Sequence, residues 1–153
     1  MRNRIVFLDY DGVVNRKIWM RYGDQWILSW NHPDNNSVND IQAVLWVSKF
    51  CVEYKYDVVV TSSWRLCENY AECLFNAGFD KSIKIQGCVE ESVARSEAIR
   101  NYISSHSDIE MYLIFDDESI NELKDHLILC EPRRGFGEIE YNRAVRLHKR
   151  FGK

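Results

Sequence analysis

Four short apolar runs divide the chain, and each predicts a buried β-strand. These runs occupy residues 5–8, 57–61, 111–115 and 126–130. Apolar residues at helical spacing lie between and after the runs, in residues 38–53, 66–77, 92–104 and 140–151, and the last of these predicted helices has a basic face. Strands that alternate with helices predict a parallel sheet covered on both faces. The expected fold is therefore an α/β protein with three layers, α/β/α, of the Rossmann-like kind.

One segment does not fit this alternation. Residues 16–37 contain three of the five tryptophans, Trp19, Trp26 and Trp30, among polar residues. Since 153 residues suit one domain, we expect a single domain over 1–153, with this segment as a small insert. It is either a flap over a functional site, as a minimal cap, or an aromatic clasp packed on the sheet edge, and the sequence leaves both open.

Composition and charge restrict the partners and the compartment. The net charge is −3 with acidic and basic residues interleaved, so no overall positive field attracts nucleic acid or an anionic membrane. The five cysteines are odd in number and form no C-x-x-C pair, which favours reduced thiols. Acidic residues interrupt the first apolar run too early for a signal peptide or a spanning helix. We therefore expect a cytoplasmic protein without a membrane partner.

Polar residues follow three of the predicted strands directly. They are Asp9 and Asp11, then Thr61 with Ser62, then Asp116 with Asp117. The carboxyl ends of parallel strands lie along one edge of the sheet, where ligands bind. Side chains two positions apart on an extended strand point the same way, so Asp9 and Asp11 can converge on one cation or one reacting group. A solvated Asp-x-Asp-Gly turn is the structural alternative.

These residue types suit phosphoryl transfer. Several carboxylates supply hard oxygen ligands for Mg²⁺, whereas zinc favours histidine or cysteine. A carboxylate can also attack a phosphoryl group while its neighbour moves the proton. Thr61 and the amides after it can hold phosphate oxygens, and Gly12 allows a sharp turn that brings backbone close to a ligand. A cation is still needed to balance the charge on the transferred group.

The ordered set of motifs resembles the haloacid dehalogenase (HAD) superfamily. D-x-D-G ends the first strand, T-S-S the second, a basic residue opens a later helix, and D-D ends a further strand. The local sequence is similar to the small, nearly capless branch named for HAD domains of Swiss Army Knife RNA repair proteins. The similar segments are FLDYDGVVN, VVVTSSWR, ARSEAIRNYI, YLIFDDES and HLILCEPRRGFG. The resemblance covers almost the whole chain except the tryptophan-bearing insert, and it implies a HAD-like fold.

The resemblance also implies roles for the acidic residues. Asp9 would be the nucleophile and a Mg²⁺ ligand, and Asp11 the general acid and base that offers the metal its backbone carbonyl. Asp116 would coordinate Mg²⁺, while Asp117 would bind it through water or orient the other ligands. Dehalogenase members lack the second aspartate of the first motif, so Asp11 favours phosphate chemistry.

The remaining roles concern the phosphoryl group and its surroundings. Thr61 would bind the phosphoryl oxygens, helped by the Ser62 amide, and Ser63 would also contact the substrate. Arg95 falls on the position where many members have lysine, with Lys84 and Arg100 as alternatives. Arg65 could clamp a second phosphate or pair with a surface acid. Arg133 and Arg134 follow the fourth strand and are expected at the same edge, in a loop that departs from the family's usual pattern.

The predicted function is a Mg²⁺-dependent phosphatase that acts on a phosphate monoester through an aspartyl-phosphate. The substrate could be a nucleotide, a nucleic-acid end or a small phosphate ester. An open site suits a large substrate and tryptophans could stack on bases, but the acidic balance and the lack of a long basic stripe count against nucleic acid. A receiver-like phosphorylation switch or an inactive binding domain is the alternative of another class. The oligomeric state is not predictable from the sequence.

Overall fold

The computed structural model describes residues 3–14, 17–30, 41–61, 70–90 and 93–152. Seven strands and four α-helices occur in these residues, together with a 3-10 helix over Asn121–His126. The strands are β1 (Asn3–Leu8), β2 (Lys17–Tyr22), β3 (Gln25–Trp30), β4 (Asp57–Val60), β5 (Ile85–Cys88), β6 (Ile109–Asp116) and β7 (Leu127–Leu129). The helices are α1 (Ile41–Tyr54), α2 (Tyr70–Asn76), α3 (Arg95–Ser105) and α4 (Glu138–Phe151).

Five strands form one parallel sheet in the order β5-β4-β1-β6-β7. Leu8, the last residue of β1, is in register with Val60 of β4 and with Phe115 of β6. The three central strands therefore end at the same level, and the residues that follow them lie side by side. The alternation of strands and helices thus produces the predicted three-layer α/β, Rossmann-like fold.

Alternate strand residues supply the two halves of the core. One face contributes Val6 and Leu8 to a large cluster that includes α1, α2 and α4. The other face contributes Ile5 and Phe7 to a smaller cluster with α3 and the residues around the 3-10 helix. Because both faces are covered, the central strands are apolar throughout, which is why they were recognisable in the sequence.

Most predicted elements are present with shifted ends. The predicted starts of the first two helices, residues 38–40 and 66–69, lie outside the described residues. The third helix begins at Arg95 and not at residue 92, and α4 begins at Glu138 instead of residue 140. Strand β5 was not predicted, because the sequence Ile-Gln-Gly-Cys is short, half-buried and contains Gly87 at a φ of +148°. Within the described residues, no helix combines the length and the apolar character needed to cross a membrane.

The insert contains an antiparallel hairpin that the sequence did not specify. Strands β2 and β3 pair from Lys17↔Trp30 to Tyr22↔Gln25, and Gly23 makes the turn with a φ of +62°. The tryptophan side chains lie outside the described part of the structure. A flap and a clasp therefore both remain predictions, as do the bounds of the insert and of the single domain.

Candidate active site

The hydrogen bonds of the sheet continue past its strands and fix the backbone of two acidic residues. The N–H of Asp9, directly after β1, donates to the Phe115 carbonyl at 3.0 Å. Asp116 ends β6, and its carbonyl accepts from the N–H of Cys130 at 2.8 Å. Both side chains are buried, Asp9 at 4% exposure and Asp116 at 0%. Their positions are therefore set by the sheet itself and not by a mobile loop.

Three carboxylates converge at this edge. One oxygen from each of Asp9, Asp116 and Asp117 lies within 4.8 Å of the others. The carboxylate of Asp11 is not a member of this group, and its residue is half-buried in the turn after β1. Of the four aspartates that the sequence assigned to the metal, the structure thus groups the side chains of three. For Asp11, the predicted ligand was the backbone carbonyl.

Gly12 allows the first turn to lie directly against Asp117. Its φ is +87°, a conformation that residues with a side chain rarely adopt. A Cβ at this position would lie 2.5 Å from Asp117 Oδ2 and 2.6 Å from Asp117 Cβ. The absence of a side chain is therefore a geometric requirement of the acidic cluster.

Arg95 is the first residue of α3, and its guanidinium reaches the cluster. Its Nη1 donates to both carboxylate oxygens of Asp116, at 2.9 and 2.7 Å, and lies 3.5 Å from Asp9 Oδ2. The two alternative cations are elsewhere. Lys84 is exposed and precedes β5 at the opposite edge, where its carbonyl accepts from the N–H of Val58, and Arg100 is exposed on α3. Of the three candidates, the structure brings only Arg95 to the acids.

Burial and like charge shift the pKa values of the clustered acids. The pKa of the Asp9 carboxyl lies well above its ordinary value, chiefly because of burial and then because of the negative charge of Asp116, while Arg95 opposes the shift. Burial also raises the pKa of Asp117, a hydrogen bond with Asp9 opposes it, and Asp116 adds to it. Burial alone would lower the pKa of Arg95, but Asp9 and Asp116 outweigh it and raise that pKa. The cluster holds more negative charge than one arginine balances.

Thr61 lies beside the cluster at the end of β4. It is buried at 1% exposure, and its N–H donates to the Leu8 carbonyl at 2.9 Å. A cavity of about 250 Å³ opens next to it. This cavity is lined by Thr61, Val89, Glu90, Val93, Arg95, Ala98 and Glu118. The predicted substrate contacts Ser62, Ser63 and Arg65 lie outside the described residues.

Sequence reasoning missed three acidic residues around this edge. Glu90 and Glu118 line the cavity, and Glu90 was missed because β5 was not predicted. Glu140 is buried at 0% exposure, accepts from the N–H of Gly137 at 2.9 Å, and accepts from Arg134 Nη2 at 2.7 Å. The signal for Glu140 is its position three residues after the residue that precedes α4, where glutamate often bonds back to the chain.

Glu140 thereby fixes the loop over residues 130–137. The loop is also tied to the site, because the N–H of Phe136 donates to the Val13 carbonyl at 2.7 Å, in the turn that follows Asp9. Arg133 is exposed in this loop.

The fold and the site define an α/β protein whose parallel sheet carries an acidic centre with an arginine at its carboxyl edge. A family model described as the HAD domain in Swiss Army Knife RNA repair proteins matches residues 5–140. The chain belongs to this family, which confirms the predicted membership of the HAD superfamily. At the level of the superfamily, this supports the activity of a hydrolase of the phosphatase type. Comparisons with the curated proteins and with the solved structures gave no match.

Proposed function

We propose that the protein is a Mg²⁺-dependent phosphatase that hydrolyses a phosphate monoester through an aspartyl-phosphate. The observation that carries this proposal is the convergence of three carboxylates within 4.8 Å, with Arg95 beside them, at the carboxyl edge of a parallel sheet. Membership of a HAD family supports the same class of reaction.

The donor set fits Mg²⁺. Carboxylate oxygens are the hard ligands that this ion prefers, and the group contains neither histidine nor cysteine. Asp9, Asp116 and Asp117 would hold the ion together with the backbone carbonyl of Asp11. When bound, Mg²⁺ would neutralise phosphoryl oxygens and the clustered acids.

Asp9 and Asp11 divide the covalent chemistry. A carboxylate oxygen of Asp9 attacks phosphorus, an aspartyl-phosphate bond forms, and the bond from phosphorus to the leaving oxygen breaks while Asp11 gives that oxygen a proton. Asp11 then takes a proton from water, the water oxygen attacks phosphorus, and the bond to Asp9 breaks. Phosphate leaves, and both aspartates return to their starting states.

Thr61 and Arg95 would hold the phosphoryl group during these steps. Thr61 lines the cavity beside the acids, where its hydroxyl can donate to a phosphoryl oxygen. Arg95 can offer one edge of its guanidinium to the phosphoryl group while it keeps contact with Asp116. Donors in fixed positions stabilise the charge that develops in the transition state.

The substrate is a monoester, and three kinds remain candidates. They are a nucleotide, a nucleic-acid end and a small phosphate ester. The family's name refers to RNA repair proteins, which supports a nucleic-acid end.

The test measures phosphate release from p-nitrophenyl phosphate with Mg²⁺. Wild-type protein should turn over, and Asp9→Asn should lower kcat/KM by at least about 10³-fold, because it removes the nucleophile. Asp125→Asn makes the same change at an exposed position in the 3-10 helix and should leave turnover unaltered. Borohydride reduction followed by peptide mass spectrometry should locate the acyl-phosphate at Asp9. A wild-type protein that keeps phosphate without turnover would instead be a phosphorylation switch.

A further inference from the structure

Three arginines of α4 share one face of that helix. Arg143, Arg146 and Arg150 stand at spacings of three and four residues, so their side chains emerge on the same side, and we call this surface the arginine face. Arg143 donates to the Leu129 carbonyl of the edge strand β7 at 3.3 Å. Within the described residues, no carboxylate lies at ion-pair distance from Arg146 or Arg150.

Helix stability does not account for this surface. Cations in the last turn of a helix are favoured by its dipole, which explains Lys149 and Arg150. Arg143 and Arg146 lie farther from that end, and like charges at such spacings destabilise a helix. An external anion would remove this repulsion.

Stacked aromatic rings stand at the far end of the arginine face. Phe151 stacks on His126, with ring centroids 4.7 Å apart and planes 14° apart, and His126 stacks on Tyr112 at 4.0 Å and 12°. The guanidinium of Arg150 lies 5.9 Å from the Phe151 centroid. Phe151 is 36% exposed, and a cavity of about 280 Å³ opens beside the three rings. These three stacked rings, Tyr112, His126 and Phe151, which we call the ring ladder, thus offer a flat aromatic surface next to a positive charge.

The arginine face is continuous with the catalytic edge. Helix α4 begins directly after the loop over 130–137, which is bonded to Asp116 and to Val13. That loop carries the exposed Arg133. Helix α4 has 14 residues and is therefore about 21 Å long. The arginine face lies along this helix, between the loop at the site and the ring ladder.

We infer that the arginine face and Phe151 bind a single-stranded nucleic acid whose terminal phosphate lies at the acidic cluster. Backbone phosphates would contact Arg133, Arg146 and Arg150, and a base would stack at Phe151. Proteins that bind single strands combine a basic track with aromatic stacking platforms in this way. An acidic polypeptide would use the arginines but would gain nothing from the ring ladder. The inference rests on the proposed function only for the fate of the terminal phosphate.

The first experiment measures binding without turnover. In the Asp9→Asn background, fluorescence anisotropy reports the affinity for a 5′-phosphorylated single strand of about eight nucleotides. Arg146→Ala with Arg150→Ala should weaken binding at least tenfold (about one decade) and lower the slope of log affinity against log salt by about 1.4. The matched control, Lys81→Ala with Lys84→Ala, removes two exposed charges that precede β5, the edge strand opposite β7, and should bind normally.

The second experiment separates the ring from the charges. Phe151→Ala should weaken binding of the normal strand at least about fivefold, yet leave an abasic strand of equal length unaffected. The abasic strand serves as the folding control, because a misfolded variant would lose both. Arg146→Ala with Arg150→Ala should weaken the binding of both strands.

Three results would overturn the inference: normal binding by the arginine variant, equal loss by the lysine control, or competition by polyglutamate as effective as by an unlabelled strand. The last result would identify a general polyanion surface. Turnover of p-nitrophenyl phosphate by Arg146→Ala with Arg150→Ala should equal that of wild type. If no protein turns over any ester but binding behaves as expected, the proposed function fails and the nucleic-acid surface stands.

Discussion

The two edges of the five-stranded sheet both carry charged residues, but they arrange them differently. At the amino edge, charged side chains such as Arg4 and Asp57 have partners of opposite charge or neutral partners. Arg4 Nη1 donates to the Tyr54 carbonyl at 2.7 Å, and Arg4 Nε lies 3.7 Å from Glu110. Asp57 accepts from Gln86 at 2.9 Å. At the carboxyl edge, three carboxylates converge on one arginine.

The edge that carries the candidate site does not have the larger cavity. The cavity at the amino edge is about 450 Å³ and the one beside Thr61 about 250 Å³. The distinguishing feature is electrostatic, because burial and then the negative charge of Asp116 raise the pKa of the Asp9 carboxyl at the carboxyl edge. Clustered like charges that lower the stability of the fold are better evidence of a functional site than the size of a cavity. Substitutions at the carboxyl edge should therefore change activity most, and those at the amino edge should change only stability.

Among the substitutions that compare the two edges, Gly12→Ala is expected to have the largest effect. The new methyl group would occupy the space of the Asp117 carboxylate and would demand a left-handed backbone, so the acidic cluster must shift. A displacement of about 1 Å in a catalytic group can cost about 100-fold, and we expect at least that loss in kcat/KM. Gly137→Ala is the control, because its Cβ would make an ordinary 3.6 Å contact with Glu140. Full activity in Gly12→Ala would contradict the close packing against Asp117.

A smaller effect is expected from Asp9→Asn on the stability of the metal-free protein. The pKa of Asp9 is raised above 3.8 in the folded protein, so the folded state binds more protons than the unfolded state above that pH. Stability in EDTA should therefore fall as pH rises from about 4 through the raised pKa of Asp9. Asp9→Asn removes this loss and should raise Tm at pH 8 by about 2–4 °C per kcal/mol recovered, while Mg²⁺ should raise the Tm of wild type more than that of the variant. If the Tm of the wild type in EDTA does not change with pH, the raised pKa of Asp9 is refuted.

The smallest effect is expected at the amino edge. Arg4→Met removes a hydrogen bond and a solvent-screened ion pair, so the free energy of unfolding should fall by about 1 kcal/mol in urea denaturation. Glu110→Gln breaks only the 3.7 Å ion pair and should cost less. Both variants should keep the kcat/KM of wild type. A loss of activity in either would mean that the two edges are coupled.

Local patterns predicted much of the fold and the acidic half of the site. Strands β1, β4 and β6 were recognisable because both of their faces are buried, which requires an unbroken apolar run. Asp9, Asp116 and Asp117 stood out because they follow such runs directly. Strand β5 was not recognisable, since a half-buried strand that contains Gly87 has no such run.

Other features depend on packing between distant elements. The resemblance favoured Arg95 as the cation and kept Lys84 and Arg100 as alternatives, and the start of α3 beside β6 brings Arg95 to Asp116. The basic face of the last helix was predicted from residues 140–151 despite a net charge of −3, but only the packing of α4 beside β7 decides where that face lies relative to the site and to Phe151.

The sequence by itself therefore determined the strands, the acids at their ends and the class of chemistry that these residues suit. Those properties follow from short-range periodicity, in which each residue's burial is decided by its near neighbours. The tertiary structure alone decided which cation faces the acids, why Gly12 has no side chain, and where the arginine face meets the ring of Phe151. Each of these is a contact between elements far apart in the chain, and the register of the sheet and the packing of its helices bring them together.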